Sequence, residues 1–251
     1  MEAQVTTKTK YKMNNGLEIP AIGFGTYHIR QRNDIEKSLK YAYESGYRLF
    51  DTAVMYGNEH LIGAAIKKLK LPRNEIMLTT KILPQDMTYN KAKLSIEKTL
   101  TDFKVDYIDI ALIHWPHVQK VQDRLDVWKL LEEFVTQGKI KSIGVSNFLV
   151  EHLEHLINNC KIKPVLNQIE CHPLYYDKET IDYCKANDIL IEAYCPLAEF
   201  NSKLLQHSKI VKIAKDIGKS VPQVILKWHL MHNRIPDPVT MRKVSLSAMI
   251  K

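Results

Sequence analysis

Apolar and polar positions along this chain follow two periods. Short β-branched or leucine-rich runs are separated by longer stretches in which apolar residues recur every three or four positions. This is the pattern of strand and helix units repeated around a parallel sheet. Strands are predicted near Ala21–Gly23, Leu49–Asp51, Met77–Lys81, Ile108–Ile113, Ser142–Ser146, Val165–Glu170 and Leu190–Tyr194. Helices are predicted over Asp34–Ser45, Glu59–Lys68, Asn90–Phe103, Arg124–Gln137, Val150–Asn158, Lys178–Asn187, Ile210–Ile217 and Pro222–His232. A hairpin turned at Asn15-Gly16 opens the chain. Gly46 and Gly138 directly follow their helices, where a left-handed C-terminal cap favours glycine.

The last unit is the least regular. Its candidate strand, Arg234–Thr240, contains Pro236 and Pro238, which cannot donate to a ladder, and Met241–Lys251 leaves room for one short closing helix. No low-complexity linker interrupts the series, so residues 1–251 are expected to form a single α/β domain. The 251 residues match the roughly 250 of a barrel of eight strands and eight helices.

Composition narrows the function classes. A 45% hydrophobic and 25% charged chain carries no collagen-like, disordered or disulfide-scaffold bias. Met1 to Lys10 is polar, without the apolar run of a secretory signal, and no later stretch is apolar for long enough to cross a bilayer; a cytoplasmic protein is expected. Cys160, Cys171, Cys184 and Cys195 are widely spaced and suggest buried, reduced thiols rather than a zinc site or disulfides. The net charge of +8 comes from lysines scattered along helical stretches, without an aromatic-interleaved basic block. It suits a positive field that draws in an anionic cofactor better than nucleic-acid binding, and nothing in the pattern argues against a monomer.

Unusual polar residues stand at the predicted C-terminal ends of the strands. They are Asp51 with Tyr56, Lys81 and His114. In a barrel the loops at that end converge on one pocket, so these separate points of sequence can meet. Each has a structural reading of its own: a helix cap or salt-bridge partner, a half-buried aromatic, a surface lysine, a hydrogen-bonded core histidine. Together they fit carbonyl reduction. Hydride is beyond any side chain and must come from a cofactor. Tyr56 can deliver the proton, with Lys81 lowering its pKa by roughly 2–3 units, Asp51 keeping Lys81 charged, and neutral His114 hydrogen-bonding the substrate oxygen. His114 and His117 form an H-x-x-H pair, but Pro116 between them argues against a shared helical face and hence against a metal.

These residues lie in stretches that resemble the aldo-keto reductases. Gly46-Tyr47-Arg48-Leu49-Phe50-Asp51-Thr52-Ala53, continuing through Tyr56, Gly57, Glu59 and Ile62-Gly63, is similar to the first signature of that family. Lys141-Ser142-Ile143-Gly144-Val145-Ser146-Asn147-Phe148 is similar to the second. Thr79-Thr80-Lys81, Leu112-Ile113-His114-Trp115-Pro116, Asn167-Gln168-Ile169-Glu170 and Ala193-Tyr194-Cys195-Pro196-Leu197 follow in the family's order, over about Tyr11 to Asn233.

The resemblance implies a (β/α)8 TIM barrel, NADPH-dependent reduction of an aldehyde or ketone, and a tetrad of Asp51, Tyr56, Lys81 and His114. It places Ser146, Asn147 and Gln168 on the nicotinamide amide and Tyr194 on the ring, with Asp51, Cys195 and Leu197 beside the cofactor. Gly25, Thr26 and Tyr27 match the loop that passes cofactor and substrate; Tyr27, Tyr56, His114 and Trp115 would face the small-molecule carbonyl. Where the family carries I-P-K-S and then an arginine to grip the 2'-phosphate, this chain reads Ile235-Pro236-Asp237-Pro238-Val239-Thr240, with Arg242 and Lys243 nearby. NADH is therefore the alternative cofactor. A short connection from Pro196 to Leu204 predicts a shallow pocket walled by Tyr27, Trp115 and Tyr175. The competing reading is a barrel that binds cofactor without turning over.

Overall fold

The computed structural model describes residues 8–118 and 120–239. Strands β1 (Lys10–Lys12) and β2 (Glu18–Pro20) pair antiparallel, with Tyr11 opposite Ile19. Eight strands then form one parallel sheet in sequence order: β3 (Gly23–Gly25), β4 (Leu49–Asp51), β5 (Met77–Ile82), β6 (Ile108–Ile113), β7 (Ile140–Ser146), β8 (Leu166–Glu170), β9 (Leu190–Tyr194) and β10 (Arg234–Pro236). The sheet curls into a nearly closed (β/α)8 barrel, and the Gly25 N–H donates to Pro238 O at 3.2 Å across the seam between its first and last strands. Outside it run α1 (Arg32–Glu44), α2 (Glu59–Leu69), α3 (Tyr89–Phe103), α4 (Val121–Thr136), α5 (Val150–Ile157), α6 (Lys178–Ala186), α7 (Ser202–Leu205), α8 (Ser208–Asp216) and α9 (Val221–Met231).

Strand periodicity sorts the core into two layers, because successive side chains point to opposite faces. Phe50, Leu78, Ala111, Ile113, Ile143, Val145, Ile169, Ile191 and Ala193 pack outward against the helices. Leu49, Ile110, Leu112, Leu166 and Ile235 pack inward, and Met13 and Ile19 of the hairpin plug this end of the barrel. One inward position further along the strands, the apolar layer gives way to a polar one: Asp51, Lys81, Ser146, Gln168 and Glu192, with Asp237 just past β10, all buried. The site is built on this polar layer.

Up to the last strand, the predicted elements are present with shifts of at most three residues at their ends. The first barrel strand lies two residues later than expected, at Gly23–Gly25, because Glu18–Pro20 is drawn into the hairpin and the apolar run that follows has no period to mark the join. The last strand is shorter than Arg234–Thr240 but sits squarely beside β9. Its prolines do no harm, since alternate residues point their N–H groups to opposite sides. The Asp237 N–H reaches Ala193 O at 3.0 Å, so the missing donors of Pro236 and Pro238 face the seam, where Pro238 serves as an acceptor. Thr240 and the segment Met241–Lys251 lie outside the described residues, as do Arg242 and Lys243. Gly46 and Gly138 are left-handed at φ 96° and 72°, as cap positions require. Cys171 and Cys184 are buried; Cys160 and Cys195, also free thiols, are partly exposed rather than buried. Among the described residues no helix is long and apolar enough to cross a membrane.

Candidate active site

Asp51 ends β4, and the chain then turns through a short 3-10 helix, Val54–Tyr56, that brings the Tyr56 phenol back over the barrel mouth. Buried Asn58 fixes this excursion. It donates to Thr26 O at 3.1 Å and Ile29 O at 3.0 Å, and accepts from the Thr52 hydroxyl at 2.6 Å. Lys81, fully buried on β5, donates to Asp51 Oδ2 at 2.5 Å, Thr52 O at 3.0 Å and Tyr56 Oη at 3.3 Å. The second oxygen of Asp51 accepts from Gln168 Nε2 at 3.0 Å. His114, following β6, sets its ring 6.2 Å from that of Tyr56, edge to face. The tetrad expected from sequence is thus brought together, with Lys81 at its centre.

Its electrostatics differ from expectation in one respect. Burial pushes the Tyr56 phenol up to about 12; Lys81 pulls it down but does not prevail, and Asp51 and Asp237 push further up. The expected lowering by Lys81 is present but outweighed, because a partly buried phenol loses more hydration than one shared ammonium returns. Burial would also pull Lys81 down, but Asp51 and Tyr56 overrule it and hold its pKa above the ordinary range, so it stays charged. Burial, with Lys81 adding to it, lowers His114 to about 3 and keeps its ring neutral.

A cavity of about 530 Å³ opens above these groups. Gly25, Tyr27, Asp51, Tyr56, His114, Trp115, Ser146, Asn147, Gln168, Tyr194, Cys195 and Leu197 line it. Thr26 does not: it is fully buried and its hydroxyl donates to Asp51 O at 2.9 Å. Lys81 lies beneath the lining. Tyr175 is not part of the lining either; it is 55% exposed and pairs its backbone with His172. His117 stacks its ring on Trp115.

After β7, Asn147 takes a left-handed backbone, φ 62°, tolerated by asparagine. Its amide donates to His114 O at 3.0 Å and accepts from the Tyr194 hydroxyl at 2.9 Å, which binds β6, β7 and β9 together on one side of the cavity. Ser146 and Gln168 join at 2.9 Å, hydroxyl to carbonyl. Carboxamide and hydroxyl groups beside the flat Tyr194 ring fit the donor, acceptor and aromatic face that a nicotinamide needs.

Sequence reasoning missed two buried acids here. Glu192 and Asp237 share the polar layer with Asp51. The signal for Glu192 was available: a lone carboxylate within the apolar run Leu190–Tyr194, two positions before Tyr194 on the same face. Met55, Glu199 and Phe200 also line the cavity.

Known proteins resemble this chain in sequence and fold. Residues 21–249 match the Aldo/keto reductase family. Glyoxal reductase of Bacillus subtilis is 40% identical over 236 residues, covering 94% of this chain and 84% of its own length. The crystal structure of an aldo/keto reductase from Brucella melitensis superimposes with a TM-score of 0.90 at 35% identity, covering 96% of this chain and 91% of that one. A Bombyx mori aldo-keto reductase in complex with NADP gives 0.89 at 27% identity, covering 97% and 87%. The chain belongs to the aldo/keto reductase family.

Proposed function

We propose that this single barrel domain reduces small aldehydes or ketones to alcohols with NADPH, NADH being the alternative, and that Asp51, Tyr56, Lys81 and His114 carry the reaction. One observation supports the reading above all: an ammonium 2.5 Å from a buried carboxylate and 3.3 Å from a phenol that lines a cavity beside a neutral histidine. The nicotinamide supplies a hydride when bound; Ser146, Asn147 and Gln168 would hold its amide, with Tyr194 against its ring.

The remaining chemistry belongs to the side chains. His114, neutral and therefore able to donate without carrying charge into the site, hydrogen-bonds the carbonyl oxygen and orients it toward Tyr56. Tyr56, held as a neutral phenol, gives its proton to that oxygen as negative charge builds there. The phenolate that remains sits 3.3 Å from the Lys81 ammonium, which stabilises it, and Asp51 keeps that ammonium in place. Trp115, Tyr27 and Met55 wall the mouth with apolar surface and suit small carbonyls such as glyoxal, the substrate in the name of the Bacillus subtilis relative.

The test is oxidation of NADPH and, separately, NADH by a panel of small aldehydes including glyoxal, followed by absorbance. Tyr56→Phe should lower kcat by about 10²–10⁴-fold while cofactor affinity holds within a factor of two or so. Near-normal turnover by that variant would remove Tyr56 as the donor. Cofactor binding by the wild type with no turnover on any carbonyl would favour a binding protein instead.

A further inference from the structure

Three carboxyl groups and one ammonium share the barrel interior at the floor of the cavity, which Asp51 and Asp237 line. Asp51 on β4, Glu192 on β9 and Asp237 after β10 each bring an oxygen within 4.8 Å of the others, and none is more than 4% exposed. Lys81 is the cation among them. Fully ionised, the cluster would hold two uncompensated negative charges in an almost fully buried site, which is costly unless they are neutralised.

Either a metal ion or protons could relieve this. A metal is poorly served: both oxygens of Asp51 already accept from N–H donors, Lys81 and Gln168, and a hard divalent cation seeks at least about six oxygens. The adjoining ammonium would repel it. Protons fit better. Both oxygens of Glu192 and Oδ1 of Asp237 are buried without a well-formed hydrogen bond among the described residues, Gln168 facing Glu192 and Asp51 facing Asp237 as the polar neighbours. Burial, then the neighbouring Asp51, push both groups up; Glu192 adds to this for Asp237.

We propose that Glu192 and Asp237 are positioning residues for the reaction: as neutral carboxyls they leave the charge of Lys81 to Asp51 and the Tyr56 phenol. The inference rests on Tyr56 as proton donor. When either acid ionises, its negative charge competes for Lys81 and opposes formation of the phenolate, so reduction slows as pH rises. The groups that face them are Asp51 and Tyr47 from β4 and its approach, Tyr56 from the turn after it, Lys81 from β5, and Cys195 after β9. Burial pushes Tyr47, Tyr56 and Cys195 up, the latter two to about 12, whereas it raises Glu192 to about 8, so Glu192 loses its proton before them.

The experiment compares the full chain with Glu192→Gln and Asp237→Asn, amides that keep the shape of the neutral acid. Glyoxal reduction by the wild type should fall about tenfold per pH unit beyond the midpoint of its alkaline limb. In each variant the limb should move up by at least about one unit, mainly in kcat rather than KM. Superimposable profiles in all three proteins would overturn the proposal. Infrared difference spectra provide a readout independent of turnover: a protonated-carboxyl band at neutral pH in the wild type, weaker in each variant. Its absence from the wild type would overturn the proposal even in an active enzyme. Its presence without turnover on any carbonyl would instead overturn the reductase reading. Magnesium or calcium raising the unfolding temperature of the wild type but not of Glu192→Gln would show a cation site and also overturn it.

Discussion

Lys81→Met removes the ammonium from the polar layer while preserving an unbranched chain that fits the same channel. Three hydrogen bonds go with it, to Asp51, Thr52 and Tyr56. Asp51, 2% exposed, is left with Gln168 as its donor and two carboxyls as neighbours. Removing one member of a buried ion pair costs about 3–5 kcal/mol when the other stays charged. Asp51 can escape part of this by taking up a proton on folding, and the folded variant then carries a proton that the unfolded chain has already released. Stability of such a state falls by about 1.4 kcal/mol per pH unit above the unfolded carboxylate range. The penalty relative to wild type should therefore grow by up to about 4 kcal/mol between about pH 5 and pH 8. Guanidinium unfolding at several pH values, with the slope held common, measures it. A penalty below about 1 kcal/mol and constant with pH would refute the view that Lys81 compensates Asp51. Turnover should drop by at least about 10²-fold at every pH.

Other consequences are open to measurement. His114 is held neutral down to about pH 3. A histidine carbon resonance assigned to it should thus stay flat through the range where free histidine titrates, whereas a midpoint near about 6.5 would contradict its burial. Because unfolding lets His114 take a proton between those two values, it contributes a loss of stability as pH falls below about 6.5. Gly63 brings α2 against the end of α3, and a Cβ there would lie 2.7 Å from Phe103 Cα. Gly63→Ala should therefore cost about 1–3 kcal/mol from overpacking, less up to about 1 kcal/mol of helix propensity, with turnover unchanged below the unfolding transition. A raised unfolding midpoint would mean the helices do not meet at this glycine.

Much of the barrel and its mouth was legible in the chain. Leu49–Asp51, Ile108–Ile113 and Leu190–Tyr194 have the predicted bounds because each is a short apolar run flanked by turn or helix signals. Asp51, Lys81 and His114 stood out because each is a polar residue just where such a run ends, and Tyr56 because it follows in the loop after Asp51. Thr26 and Tyr175 stand outside the cavity lining for a common reason. A motif supplies position along the chain but not side-chain direction, and Thr26 turns its hydroxyl under the site to Asp51 while Tyr175 turns out to solvent.

By itself, the order of residues determined the alternation of strands and helices, the inward and outward faces of each strand, and which polar groups reach the barrel mouth, since these depend on periods of two and 3.6 residues that are local. Only the closed tertiary structure decided how those groups act on one another. It brought Glu192 and Asp237, 45 residues apart in numbering, to within 4.8 Å of Asp51, and it buried Tyr56 deeply enough to raise rather than lower its phenol. Desolvation and Coulomb energy depend on distances through space and on the water excluded by neighbours, and neither is encoded in the spacing of residues along a chain.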